Sequence, residues 1–340
     1  MDGVSEVKEL DQIATEDLAL GSENAGVKLL KAGLNGLFQG EKKIGDHRVE
    51  IKFFNSKHRS AFDIKGLRDQ LQEIDIYIPE VFGWESEYLS DLRKLSSGGT
   101  DVEQMLEHWG AKDQTNYERD REFFEVINNS RKAITIIDVP GGHPLVDRAD
   151  GSILPKIKFG SDFNESLNSM RDYLKNLSAI EKERGSYMLE HLKPKIQEVI
   201  DSNPELAEKE KLSILIDIGV ANTHLYHDLK KDFETSREIS TMPMQFLYRE
   251  EVMRRYIFDK LVDDELIART VTEYLISKAN KKRFSTNFST KDVKLTRSWI
   301  SKFSLDEMKN MFNESQNMGE WTDRFYNKIR EKRRVTAADN

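Results

Sequence analysis

The sequence predicts an α/β fold: a mixed or largely parallel central sheet flanked by helices, with a helical C-terminal extension. Two observations carry this. Short runs rich in Ile, Val and Phe alternate with helix-length amphipathic stretches through the middle of the chain, and the strand pattern fades after about residue 238.

Taken in order, residues 1–48 read as a helical segment with Gly-Ser-Glu-Asn-Ala-Gly at 21–26 as its one obvious break. Strands are predicted at Val49–Asn55, Ile74–Pro79, Ala133–Val139 and Ser213–Gly219, each bounded by charged or turn residues. The third is almost continuously apolar, as a central strand covered on both faces should be, whereas the first two alternate. Between them, 61–73 places Phe62, Leu67 and Leu71 on a helical period, and 116–129 does the same with Phe123, Phe124 and Ile127. The polar stretch 162–201 carries Leu167, Met170, Leu174, Leu177, Met188, Leu192 and Ile196, with Pro194 expected to kink it. Further helices are predicted at 248–261, 266–278 and 305–331. The chain thus divides into an N-terminal segment (1–48), an α/β core (49–237) and a helical extension (238–340).

Composition narrows the function. At 340 residues with 38% hydrophobic content, the chain can bury a large core, and it has no Cys, so any metal would have to sit on His and carboxylates. A net charge of −8 argues against a whole-protein attraction to nucleic acid or anionic lipid. The basic clusters Lys281-Lys282-Arg283 and Arg330 with Lys332, Arg333 and Arg334 read as solvated helix faces. The sequence shows neither a signal-peptide pattern nor a run of the roughly 20 apolar residues that a spanning helix needs, so the expected setting is cytoplasmic, with no membrane partner.

Polar residues at the predicted strand ends are the candidates for chemistry, because pockets of α/β sheets form beyond the carboxyl ends of strands, where helix N-termini also point. His58 and His224 each follow a strand and precede a helix. Glu80 closes the second strand among apolar neighbours, where desolvation favours proton transfer or metal ligation. Asp138 ends the most apolar strand and must find a cation or several N–H donors; Pro140-Gly141-Gly142-His143 follows it, with glycines that let backbone approach a ligand and a His that also suits a plain turn. Arg184 lies in a polar helical stretch. His224 and His227 are spaced i, i+3, which places them on one helix face. The sequence contains no H-E-x-x-H or G-x-S-x-G.

Taken in order, His58, Glu80, Asp138, Glu183 with Arg184 and Met188, and His224 resemble the superfamily of TraB/PrgY proteins, Tiki proteases and erythromycin esterases, over roughly residues 49–235. Those proteins share a strand ending in G-x-x-H, one ending in Glu, one ending in Asp-Arg, a helical acid-Arg pair followed by Met, and a second G-x-x-H strand. Asn55, Ala221 and Val139 depart from that pattern. The resemblance implies a hydrolase of ester or amide bonds acting on a small molecule or peptide, with His58 or Glu80 activating water, His224 completing the site and Arg184 meeting the oxyanion. It equally admits a version in which His58, Glu80 and His224 hold a divalent metal (Mn²⁺, Co²⁺ or Zn²⁺), and a non-catalytic protein that sequesters a peptide or small ligand. Arg184 is expected to turn inward and pair with Asp138 or with a substrate oxyanion.

Overall fold

In the computed structural model, residues 43–56, 61–110, 114–219, 223–239, 248–283 and 297–338 are described. Among the described residues the sheet has six strands: β1 (Lys43–Ile44), β2 (His47–Ser56), β3 (Ile76–Ile78), β4 (Ala133–Ile134), β5 (Lys211–Gly219) and β6 (Glu234–Ile239). Its path is β1-β2-β5-β3-β4, and β6 joins β2 beside β1, on the edge that β5 leaves free. Only β1 runs antiparallel to its neighbour. Carboxyl ends therefore gather along one rim, with Asn55 level with Ile218, Ser56 with Gly219, and Ile78 with Ile216.

The predicted α/β class holds, and its departures in detail have physical causes. The sheet begins at Lys43, inside the stretch assigned to the N-terminal segment, and ends at Ile239, just past the boundary drawn at 237. β6, Glu-Thr-Ser-Arg-Glu-Ile, carries almost no apolar signal because it is an edge strand half-exposed along its length. The third predicted strand pairs as a strand only at Ala133–Ile134; its apolar remainder is buried but leaves the ladder.

Helices cover both faces. On one lie α1 (Ala61–Leu71), α2 (Ser86–Ser97), α3 (Val102–Trp109) and α4 (Gln114–Ile127), which enclose Phe54, Tyr77, Ile134 and Leu215 with their own Leu67, Leu92, Leu106 and Ile127. The short α5 (Pro144–Asp150) leads to α6 (Phe163–Asp201), 39 residues long, opened by Asp162 accepting from the Asn164 N–H and unbroken through Pro194, which lies exposed. The C-terminal half of α6 sets Met188, Leu192, Ile196 and Ile200 on the other sheet face against Ile51, Phe53, Ile214 and Ile216. After the one-turn α7 (Pro204–Ala207) and β5, α8 (Thr223–Asp232) joins that face through Leu225 and Leu229. Each such side chain fully buried contributes about 1.5–3 kcal/mol.

The N-terminal half of α6 belongs to a second layer. Phe163, Leu167, Met170 and Leu174 pack with α9 (Tyr248–Ile257), α10 (Asp264–Arg283), α11 (Leu305–Asn313) and α12 (Met318–Ala338) around Val271, Phe312, Trp321 and Phe325. The single helix predicted over 305–331 is two helices, α11 starting from a Ser304/Glu307 capping box and stopping before buried Ser315. No described helix is long and apolar enough to cross a membrane.

Candidate functional site

Arg184 organises the strand-end rim. It sits on the half of α6 that lies over the sheet, is 6% exposed, and turns inward as expected. Its Nε donates to Asp138 Oδ1 at 2.8 Å while Nη2 bonds Asp138 Oδ2, a two-point grip on a carboxylate that is 1% exposed. Nη2 also meets Glu80 Oε1 at 2.8 Å, and Nη1 reaches Glu181 Oε2 at 3.3 Å. The Phe82 ring lies 5.0 Å from the guanidinium carbon. Burial opposes the charge of Arg184, but the hydrogen bonds to Asp138 and the charges of Glu80, Asp138 and Glu181 outweigh it and push its pKa up.

The loops beyond β3 and β4 are zipped together to make this possible. Gly83 N donates to Val139 O at 2.8 Å, Trp84 Nε1 to Asp138 O at 2.8 Å, and Gly141 N to Trp84 O at 2.7 Å. Gly83 holds φ 72°, a left-handed conformation that glycine adopts freely. The Gly141 N–H is thereby used within the loop pair. Asp138 Oδ1 takes a second bond from the Val139 N–H at 2.8 Å, and Glu80 Oε2 accepts from Gly219 N at the end of β5. A Cβ at Gly219 would crowd that oxygen, so the strand end and the carboxylate are matched in shape.

Glu181 is the acid of α6 that reaches Arg184. It lies one turn before it, an i, i+3 spacing visible in the sequence. Burial raises its pKa, with Arg184 opposing and the Glu80 and Asp138 charges reinforcing. Glu183, named in the acid-Arg pair, instead faces outward and forms a two-point pair with Arg148 at 2.6 and 3.0 Å. His143 caps α5, its Nδ1 accepting from Leu145 N at 3.1 Å, and meets Tyr187 edge-on at 5.3 Å. The bond to Nδ1 leaves the proton of a neutral ring on Nε2.

His224, near the start of α8, is 7% exposed, and among the described residues neither ring nitrogen has a hydrogen-bond partner. Its ring lies directly on α6: a Cβ at Gly185 would overlap Nε2, so only glycine allows the contact. Burial first, then the neighbouring Arg184 charge, lower its pKa against an opposing pull from Asp228, and the imidazole is held neutral. His58, the other histidine of the expected pair, lies outside the described residues, as does Ala221. Among the described residues, no three His, Asp or Glu side chains form a group able to hold a metal. Glu80 has one oxygen on Arg184 and the other on a backbone N–H, a poor donor set for a cation. No protein-family model, curated protein or solved structure matches the chain.

Proposed function

We propose that the chain hydrolyses an ester or amide bond at this rim, with Glu181 moving the proton and Arg184 holding the site in register. The observation that carries the reading is Glu181 itself, a carboxyl raised in pKa by burial yet still 23% exposed at its side chain, beside a buried arginine at the ends of parallel strands. A raised carboxyl can take a proton from water as the nucleophile forms and return it to the leaving group. The guanidinium makes three hydrogen bonds to Asp138 and Glu181 and an ion pair with Glu80, and the second proton of Nη1 is the donor for a developing oxyanion. The order of strand-end residues, with its likeness to the TraB, Tiki and erythromycin esterase superfamily, supports the same reaction class. The spent oxygens of Glu80 favour the version without a metal.

One observation favours a second reading, a ligand-sequestering protein without catalysis: Arg184, Asp138 and Glu80 satisfy one another, as braces do. Purified protein assayed against ester and peptide panels, with chelator and with Mn²⁺, Co²⁺ or Zn²⁺, separates the two. Chelator-resistant turnover that drops about 10²–10⁴-fold in Glu181→Gln is the expected result. Turnover restored only by metal would move the reaction to a metal version, and binding without turnover under every condition would leave the sequestering reading.

A further inference from the structure

Arg237 in β6 is a second arginine of the rim, half-buried, and its surroundings are the reverse of those of Arg184. It is aligned with Phe53 of β2 and so points to the face that α8 covers. Its Nε donates to Asn55 Oδ1 at 2.7 Å, and its guanidinium carbon lies 5.6 Å from the centre of the Tyr226 ring. Both supports are themselves fixed. Asn55 is 1% exposed and donates through Nδ2 to Ile218 O at 3.4 Å, while Tyr226 packs edge-on against Phe53 at 5.4 Å.

Among the described residues, no carboxylate forms an ion pair with Arg237. Glu238 turns to the opposite face and accepts from Gln70 of α1, and Asp228 on α8 pairs with Lys231. Burial therefore pulls the pKa of Arg237 down, with only the distant Tyr226 hydroxyl opposing. A half-buried cation left without a counter-ion loses hydration and regains little, so such a group is stabilised by whatever anion reaches it. With Nε committed to Asn55, the two terminal nitrogens form the open end of the fork, and they match the two oxygens of a carboxylate.

We propose that Arg237, steadied by Asn55 and Tyr226, binds the carboxylate of a small ligand or of a peptide end. A single planar cation over an aromatic ring suits a flat monoanion; a phosphate dianion calls for more donors than this corner supplies. Asn55 stands where the superfamily pattern has glycine, and holding Arg237 gives that departure a purpose. The site lies on the same rim as Glu80, two strands away from Gly219 and so roughly 10 Å across the sheet. It does not depend on the hydrolase reading.

Thermal melting in benzoate, acetate or inorganic phosphate, each against chloride at matched ionic strength, tests the assignment. Benzoate should raise the melting temperature of the wild-type protein by roughly 2–4 °C near saturation. Arg237→Gln should abolish the rise, and Arg237→Lys, which keeps the charge but not the fork, should weaken the apparent affinity about tenfold. An equal rise in wild type and Arg237→Gln, or no rise in wild type, overturns the site. A larger, Arg237-dependent rise with phosphate overturns the carboxylate assignment. Should the glutamine variant fail to fold, the Arg237 Nε–H resonance of the wild-type protein gives the answer: it should move on adding benzoate, and a signal that stays fixed counts against the proposal.

Discussion

Along the C-terminal half of α6, Arg184 gathers Asp138, Glu80 and Glu181 under the strand ends through three hydrogen bonds and an ion pair. In the helical layer packed on the N-terminal half of the same helix, Glu273 of α10 is 8% exposed and its Oε1 meets no donor among the described residues. The backbone N–H of Arg249 reaches its other oxygen at 3.3 Å, and the Arg297 charge adds a weaker pull. Both regions are buried, yet in one a shared cation holds the acids together and in the other the carboxyl pKa is driven up to about 7. Cationic partners that come with a carboxylate oppose the upward shift that depth imposes.

Removing the central cation should break that difference most severely. Arg184→Met removes the cation that three carboxylates share, and replacing one partner of a buried network costs about 3–5 kcal/mol. Chemical denaturation should show a loss of that size near pH 7. A loss below about 1 kcal/mol, the value typical of surface pairs, would mean that the network contributes little.

Glu273 makes the opposite pH prediction. Its pKa is about 7 in the folded protein against 4.5 for the free group, so between those values the folded state holds a proton that the unfolded chain has lost. Its stabilising contribution is fully present below about pH 4.5 and is lost as pH rises through 7. The loss amounts to something on the order of 3 kcal/mol. Glu273→Gln should flatten this part of the stability profile and melt higher than wild type at pH 8. An unchanged profile in the glutamine variant would assign the slope to another group.

Gly185 links the rim to α8 with a smaller expected effect. Gly185→Ala gains about 1 kcal/mol of helix propensity but drives a methyl into His224, and overpacking of this kind costs about 1–3 kcal/mol. A net loss of about 1 kcal/mol is expected, with the His224 ring resonances shifted in NMR spectra. Unshifted resonances would show that the ring does not rest on α6.

These contrasts were legible in the sequence only in part. The apolar strands and the two halves of α6 announce themselves by period, since Met170, Leu174, Met188 and Leu192 must each face a core. β6 does not, because an edge strand needs no apolar face, and α2 and α3 were passed over in a stretch whose Leu92, Leu95 and Met105 are buried. Asp138 and Arg184 could be suspected from their order, but their meeting is a tertiary fact across 46 residues. Arg237 and Asn55 are 182 residues apart, and no local pattern reports that pairing.

The smallest effect draws the sharpest line through the site. Glu181 and Glu183 are near neighbours on α6, and the sequence reading chose Glu183 as the acid beside Arg184. In the structure Glu183 is 53% exposed at its side chain and pairs with an equally open Arg148, whose hydrogen bonds hold its carboxyl below the usual range. Glu181 points inward and is raised by burial. Solvent screening makes an exposed pair nearly worthless, whereas a desolvated carboxyl beside a buried cation changes the local field. Glu183→Ala should therefore leave the melting temperature, the pH profile and any turnover unchanged. Glu181→Gln should abolish the acid limb of the pH–rate profile, since the proton it removes is the one that titrates there. If Glu183→Ala were instead the variant that alters turnover, the working face of α6 would be its outer one, and the assignment of the rim to Arg184 and Glu181 would fall with it.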